Sequence, residues 1–272
     1  MKADWRLLRL AGVSAAALLW AVPFAWMAVA SLRPGIPADI ASLTPAGPFG
    51  LENFTAAWHS GNFLLWYLNT VAMCGGILIV QLVTISMAGY AFARLRFPGQ
   101  DLLFAAFLLQ LLLIPPLLIV PNLKTLVSLH LYDTLLGIMA PYFVSAFGVF
   151  LMRQTFRAIP RDYEEAATLD GAGIAALIRH VLVPLARPGL IAFAIVSLTA
   201  HWNEFLWPLM AVSSPRSQVL TVGLASFASG AEAGSAWGIV AAGTVLVAAP
   251  LLVGFLAFQR RFVSSFVISG NK

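Results

Sequence analysis

Glu164-Glu165-Ala166-Ala167-Thr168-Leu169-Asp170-Gly171-Ala172-Gly173, followed by Val181-Leu182-Val183-Pro184, is a polar island between two long apolar stretches. Ile159-Pro160, just ahead of it, breaks the preceding helix, because proline disfavours the helical conformation of its predecessor. Asp162 is placed to cap a new helix, and Glu165, three residues on, can reach back to the cap. Glu164 and Glu165 also lie near the positive end of that helix's dipole. Ala166 and Ala167 are small, so another surface can approach the backbone closely. Gly171 and Gly173 lack a Cβ and permit a sharp turn. A second helix over 174–183 is expected to end at Pro184. The product is a short helix–turn–helix outside the membrane, within a loop spanning 153–188. From these residues alone it is an interfacial elbow with capping glutamates or a docking surface, and the two are compatible.

Hydrophobic residues make up 60% of the 272 positions and charged residues 10%, with a mean hydropathy of +0.89. Soluble domains carry roughly a quarter charged residues. This chain lacks the charge to cover a soluble surface, and a bilayer protein is the natural class. Its net charge of +5 then records orientation rather than nucleic-acid binding. Cys74 is the single cysteine, which excludes an intrachain disulfide. His59, His130, His180 and His201 are scattered, with no metal-ligand spacing.

A helix needs about 20 apolar residues to cross the hydrocarbon. Such stretches occur near 10–30, 70–92, 102–120, 134–152, 190–212 and 237–258. They are continuous rather than alternating, so helices rather than barrel strands satisfy the backbone in lipid. The expected fold is an all-α membrane protein with six transmembrane helices in a single domain over 1–272. All lysines and arginines except Arg33, Lys124 and Arg216 fall on one side of these spans. The positive-inside rule puts that side, both termini and the Glu165 loop in the cytoplasm. The first stretch, ending Ala28-Val29-Ala30, also sketches a signal peptide. A signal's apolar region is only about 7–15 residues, and this run is longer. The proline-rich external segment 31–69 reads as an ordered loop with short interfacial helices. Trp66 and Trp237 are expected at the membrane interface.

The sequence Glu165-Ala166-Ala167, then Asp170-Gly171-Ala172, then Val183-Pro184-Leu185 with Pro188 resembles the "EAA" loop of permease subunits of bacterial ABC importers. Other parts of the chain over about 50–266 are similar to the same family. These are Asn53, Tyr67-Leu68-Asn69-Thr70, Ala91-Phe92-Ala93-Arg94-Leu95-Arg96-Phe97-Pro98-Gly99, Ile114-Pro115, Val120-Pro121, Trp202-Asn203-Glu204-Phe205 with Pro208-Leu209, and Gln259-Arg260-Arg261-Phe262-Val263. Within the family the chain resembles the carbohydrate-uptake permeases of the maltose-transporter MalG type. The resemblance implies an ABC importer type I permease fold with a cytoplasmic coupling helix, in the bacterial inner membrane. It implies that Glu165, Ala166, Ala167, Asp170, Gly171 and Ala172 dock on an ATPase subunit. The implied partners are a second permease of similar fold, a dimer of ABC ATPase subunits, an extracytoplasmic solute-binding protein and a carbohydrate substrate. No cofactor belongs to this chain, and ATP and Mg are bound by the ATPases. Val183 departs from the commoner leucine before the proline, and the tail 264–272 leaves its contribution at the ATPase open.

Ionisable residues inside a membrane are costly and default to functional candidates. Glu204 lies in the fifth stretch with His201, Trp202 and Asn203, beside Trp207. A sugar pathway needs hydrogen-bonding groups for hydroxyls and flat apolar faces for the ring. Trp202, Asn203, Glu204 and Gln110 are therefore the pathway candidates. The competing reading makes Asn203 and Glu204 helix-breaking or interhelical groups. Gln81 is read as bonding to a neighbouring helix, Asn69 as a helix cap, Gly75-Gly76 as a close helix contact, and Pro115-Pro116 as a kink. No span centre carries Lys or Arg, which favours a neutral sugar over an anion. No G-x-x-x-x-G-K-[ST] loop occurs, so the chain is not expected to hydrolyse ATP alone, and no G-x-S-x-G elbow, zinc motif or dinucleotide fingerprint is present. An ion-gradient-driven secondary transporter is the alternative function, but it would want paired buried acids, and only Glu204 qualifies. An intramembrane enzyme would rest on His201 and Glu204 alone.

Overall fold

The computed structural model describes residues 2–33, 48–230 and 237–267. Pro34, Pro37, Pro45 and the last five residues of the tail lie outside them. Three helices are long and apolar enough to cross a bilayer alone: Arg9–Ser31, Phe63–Arg94 and Trp237–Gly254. Three further helix pairs meet that test together, each bent at a short break. Among the described residues the chain forms helices and no strands. The helices fall into two compact units, residues 1–63 with 223–255 and residues 64–222 with 256–272.

In the first unit, α1 (Lys2–Ser31) is apolar around its circumference, and Leu18, Leu19 and Trp20 are exposed. A helix of that composition suits lipid or another subunit. Of its described side chains, those buried are at its end, Ala30 and Ser31. The Asn53 side chain, on α2 (Glu52–Ser60), donates to the carbonyls of Ala30, Ser31 and Arg33 at 3.3, 3.2 and 2.8 Å. It thus satisfies groups that a helix C-terminus leaves orphaned.

The second unit is built on α3 (Phe63–Arg94), 32 residues without a proline. At 1.5 Å per residue it is about 48 Å long, longer than the roughly 30 Å hydrocarbon. It starts before the stretch expected at 70–92. Asn69 therefore sits inside the helix, buried, and is not a cap: its amide donates to the carbonyls of Arg216 and Gln218 at 2.8 and 2.7 Å. Trp66 is likewise buried in protein rather than facing the interface.

The third apolar stretch is broken, not merely kinked. The helix α4 (Gln100–Gln110) stops, and a 3₁₀ turn at Pro115–Leu118 leads into α5 (Ile119–Ser128), with a bend of 104°. The missing N–H groups and ring clashes of Pro115 and Pro116 prevent a continuous ladder. The fourth stretch is α6 (Leu135–Met139) and α7 (Ala146–Ala158), the pair bent by 46°. Between α5 and α6, Asp133 accepts from the Ser213 and Ser214 amides at 2.9 and 3.0 Å. Burial pushes the Asp133 carboxyl up, but the amide donors together outweigh it and hold it below its ordinary value. That contribution to stability is present above the ordinary carboxylate range and is lost as pH falls through the lowered value.

A cluster of Ile85, Val149, Met152, Phe156, Leu182 and Phe193 joins α3 and α7 to the segments that follow. A Cβ on Gly89 would lie 2.6 Å from Met152 Cβ and 3.2 Å from the Arg153 amide nitrogen. Only glycine lets the two backbones approach this closely. A Cβ on Gly76 would meet Met139 Sδ at 2.8 Å, whereas Gly75 touches nothing.

The polar loop follows as α8 (Asp162–Leu169), α9 (Ile174–Leu177) and α10 (Val183–Leu185), with one π turn at Ile178–Leu182. The second helix of the loop does not end at Pro184, because the wide π turn admits the proline ring and the missing N–H. The chain then enters α11 (Arg187–Trp202), with a 79° bend between Ile174–Leu185 and α11. The fifth stretch is interrupted at 203–205 before α12 (Leu206–Ala211). The last two helices are α13 (Leu220–Ser229) and α14 (Trp237–Val267).

Candidate functional site

The loop is built from local signals. Ile159 caps α7 in an extended conformation (φ −77°, ψ 127°) as the residue before Pro160 must. The cap of α8 is Arg161, already helical, and no side chain bonds the first amides. The expected capping box between Asp162 and Glu165 is therefore absent, because the helix begins one residue earlier and Asp162 lies within its first turn. Both glutamates still lie at the positive end of the dipole.

The far end of α8 is a Schellman motif. The Gly171 amide donates to Thr168 O at 3.0 Å and the Ala172 amide to Ala167 O at 2.9 Å. Gly171 has φ +81°, the left-handed conformation that glycine adopts without steric cost. Asp170-Gly171-Ala172 is thus a stop signal that reverses the chain into α9. Gly173 is extended and needs no such freedom.

Helical phase divides α8 into two faces. Asp162, Glu165, Ala166 and Leu169 are exposed, at the i, i+3, i+4, i+7 spacing of one face. Glu164 and Ala167 face inward and are half-buried. Ala167 packs on the α3–α7 cluster, so the two alanines have different surroundings. Leu169 is 89% exposed, and Tyr163 and Ile174 are exposed as well. Sequence reasoning missed Leu169. The signal was present: an apolar side chain one turn from Glu165 and Ala166 on a helix otherwise solvated on that face. It also missed the Glu164–Arg94 ion pair at 2.5 Å, which joins residues distant in sequence.

The second candidate site is a cavity of about 550 Å³ within the second unit. Gln81, Gln110, Tyr142, Ser197, His201 and Glu204 supply polar lining, and no lysine or arginine lines it. Gln81 is held on three sides. Its amide donates to Tyr142 O at 2.7 Å, its carbonyl accepts the Ser197 hydroxyl at 2.6 Å, and its nitrogen lies 3.4 Å from His201 Nε2. It bonds neighbouring helices, as expected, while also bordering the cavity. Glu204 accepts from the Trp207 amide at 3.4 Å, near the start of α12, and lines the cavity with Tyr142. The cavity brings Gln110 and Glu204 together. Trp202 and Asn203 are not among its lining residues: Asn203 turns back to Thr199 O at 2.8 Å, and Trp202 packs against Tyr67. Gln81→Leu should strand the Ser197 hydroxyl and the Tyr142 carbonyl. Interhelical bonds in membranes contribute about 0.6 kcal/mol on average and up to about 1.7, so a loss of about 1–2 kcal/mol is expected, measurable by unfolding in detergent.

Residues 85–266 match the family described as binding-protein-dependent transport system inner membrane component. That range takes in α8, the Schellman turn and most of the cavity. The chain belongs to this family. As a multi-pass permease of that family it has relatives along nearly its whole length. It is 33% identical over 270 residues to the diacetylchitobiose uptake system permease protein of Streptomyces coelicolor, covering 94% of this chain and 87% of that one. It is 28% identical to the arabinooligosaccharides transport system permease protein of Bacillus subtilis, covering 94% of this permease and 92% of the relative. Its fold matches a solved chain of a bacterial ABC transporter involved in import of the acidic polysaccharide alginate. There the TM-score is 0.84 and the identity 22%, over 95% of this chain and 96% of that one.

Proposed function

We propose that this permease moves a sugar or sugar-like solute inward as one subunit of an ATP-driven importer, driven through α8 by a separate ATPase subunit. The observation that carries this reading is α8 itself. It is an exposed helix outside the spans, ended by a left-handed glycine, that presents Glu165, Ala166, Leu169 and Asp170 to a partner. Within the loop, Glu165 and Ala166 form the approach surface, while Gly171 and Ala172 fix the turn. ATP and Mg belong to the ATPase subunits. The orientation places both termini and α8 in the cytoplasm of a bacterial cell, following the distribution of basic residues. A second permease of similar fold, an ATPase dimer and an extracytoplasmic binding protein complete the assembly.

We read the chain as one permease domain, and Leu111, Leu113 and Glu204 at the breaks line the cavity. The sugar class follows from the relatives' names, and the cavity chemistry supports an uncharged solute. Amide, hydroxyl and carboxylate groups there can bond sugar hydroxyls, Phe147, Phe193 and Trp207 give flat apolar faces, and the one lining carboxylate, Glu204, disfavours anions. Glu204→Gln should leave sugar-stimulated ATP hydrolysis within about threefold of wild type if the carboxylate mainly caps α12, and lower it by about tenfold or more, near 1.4 kcal/mol, if it contacts the solute. Uptake into proteoliposomes separates the function classes. Dependence on internal ATP and on the binding protein is expected, and uptake driven by an ion gradient without ATP would make the protein a secondary transporter.

A further inference from the structure

We infer that Arg94 is the positioning residue through which movement of α8 reaches the solute cavity, with Glu164 rather than Glu165 as its partner on the loop. This rests on the reading of α8 as the helix that meets the ATPase. Arg94 is the last residue of α3. Its guanidinium joins two elements at once: Nε pairs with Glu164 Oε1 at 2.5 Å, and Nη2 donates to Ile159 O at 2.6 Å. One contact holds the inner face of α8, and the other holds the hinge where α7 gives way to the loop.

The pair is not a loose surface bridge. The two side chains are 8% and 15% exposed, so breaking it leaves a nearly buried charge without its partner. The neighbourhood sharpens this. Arg96, Arg157 and Arg161 line a hollow with Arg94, and Glu164 is the acid that Arg94 meets. Without it, Arg94 faces like charges, and α8 keeps only its apolar packing on the α3–α7 cluster.

The continuity of α3 turns this tether into a transmission element. In the second unit the other candidate spans are bent pairs, at 104°, 46° and 79°. Helix α3 runs unbroken from Phe63 to Arg94 and carries Gln81 about 20 Å from Arg94 at 1.5 Å per residue. Gln81 is the cavity residue that holds Tyr142, Ser197 and His201. One rigid helix therefore has the loop's ion pair at its end and the cavity's hydrogen-bond hub along its length. Coupling between distant sites is carried by rigid elements that have two arrangements biased from both sites, and α3 is placed to be one. A shift of α8 pulls on Arg94, α3 moves as a body, and the bonds around Gln81 rearrange.

The test uses the assembled transporter in proteoliposomes, with the binding protein and its sugar, reading solute moved per ATP hydrolysed. Arg94→Gln, Glu164→Gln, the double variant and Arg94→Lys are compared with wild type. Each single glutamine variant is expected to keep the ATPase subunit bound while moving at least fivefold less solute per ATP. The double variant should be no worse than the poorer single, because both remove one interaction. Arg94→Lys keeps the charge and should recover more than half of the wild-type ratio. A purely structural role would lower assembly in all variants and leave the ratio in the surviving complex unchanged, which overturns the inference. Wild-type ratios in the single variants, or effects that multiply in the double, also overturn it. Failure of the wild-type chain to retain an ATPase would instead sink the reading of α8, which the same preparations reveal separately.

Discussion

Gly171→Asp is expected to lower sugar uptake more than tenfold and release the ATPase subunit while leaving the membrane helices folded. The glycine sits at φ +81° in the Schellman turn that ends α8. A residue with a Cβ costs about 1–2 kcal/mol in the left-handed conformation. A Cβ there would meet nothing within 4 Å, so no packing within the chain is lost. Aspartate adds charge beside Asp170 on the surface we propose meets the ATPase. Alanine is the control, with left-handed strain but neither charge nor bulk. Its effect should stay near fivefold, the equivalent of about 1 kcal/mol, whereas aspartate should reduce uptake more than tenfold. Melting of the spans in detergent should be the same for both. Equal, small losses would mean that nothing approaches this turn.

Leu169→Glu is the second large effect. The side chain is 89% exposed, so the isolated chain gains nothing from it. Covering a leucine at an interface contributes about 1.5–3 kcal/mol, and an unpaired carboxylate buried there costs more. Affinity for the ATPase should fall by at least about tenfold, or 1.4 kcal/mol, with thermal stability of the permease unchanged. Ala167 makes the contrast. It is half-buried against the α3–α7 cluster, so Ala167→Leu should lower stability before it affects docking. If Leu169→Glu retains the ATPase while Ala167→Leu loses it without unfolding, the two faces of α8 are assigned the wrong way round.

What could be read in advance follows from the range of each interaction. Apolar stretches and the Asp170-Gly171 stop are local, so the helices and the turn were legible in the residues. The break after Gln110 was half legible: Pro115-Pro116 announced a disruption, but a 104° bend depends on what the segments pack against. Asn69 looked like a boundary because it is polar. Its partners are the carbonyls of Arg216 and Gln218, and no local pattern points to them. The same holds for Glu164. Two adjacent glutamates are alike in sequence, and only the phase of α8 and the position of Arg94 separate the inward one from the outward one. Trp202 and Asn203 join Glu204 as pathway candidates on chemistry, an amide for hydroxyls and a flat ring for the sugar face, but their chemistry does not fix where they point. The chain turns at 203–205 and aims Glu204 at the cavity while Asn203 bonds back to its own helix.

Affinity purification of the tagged chain from its native membrane in mild detergent, with the co-purifying proteins identified, would decide whether α8 is a drive point. Recovery of an ATPase and a second multi-pass permease with the wild-type chain, and loss of the ATPase with Gly171→Asp, is the expected result. Recovery of the wild-type chain alone, still moving solute in vesicles without ATP, would contradict it.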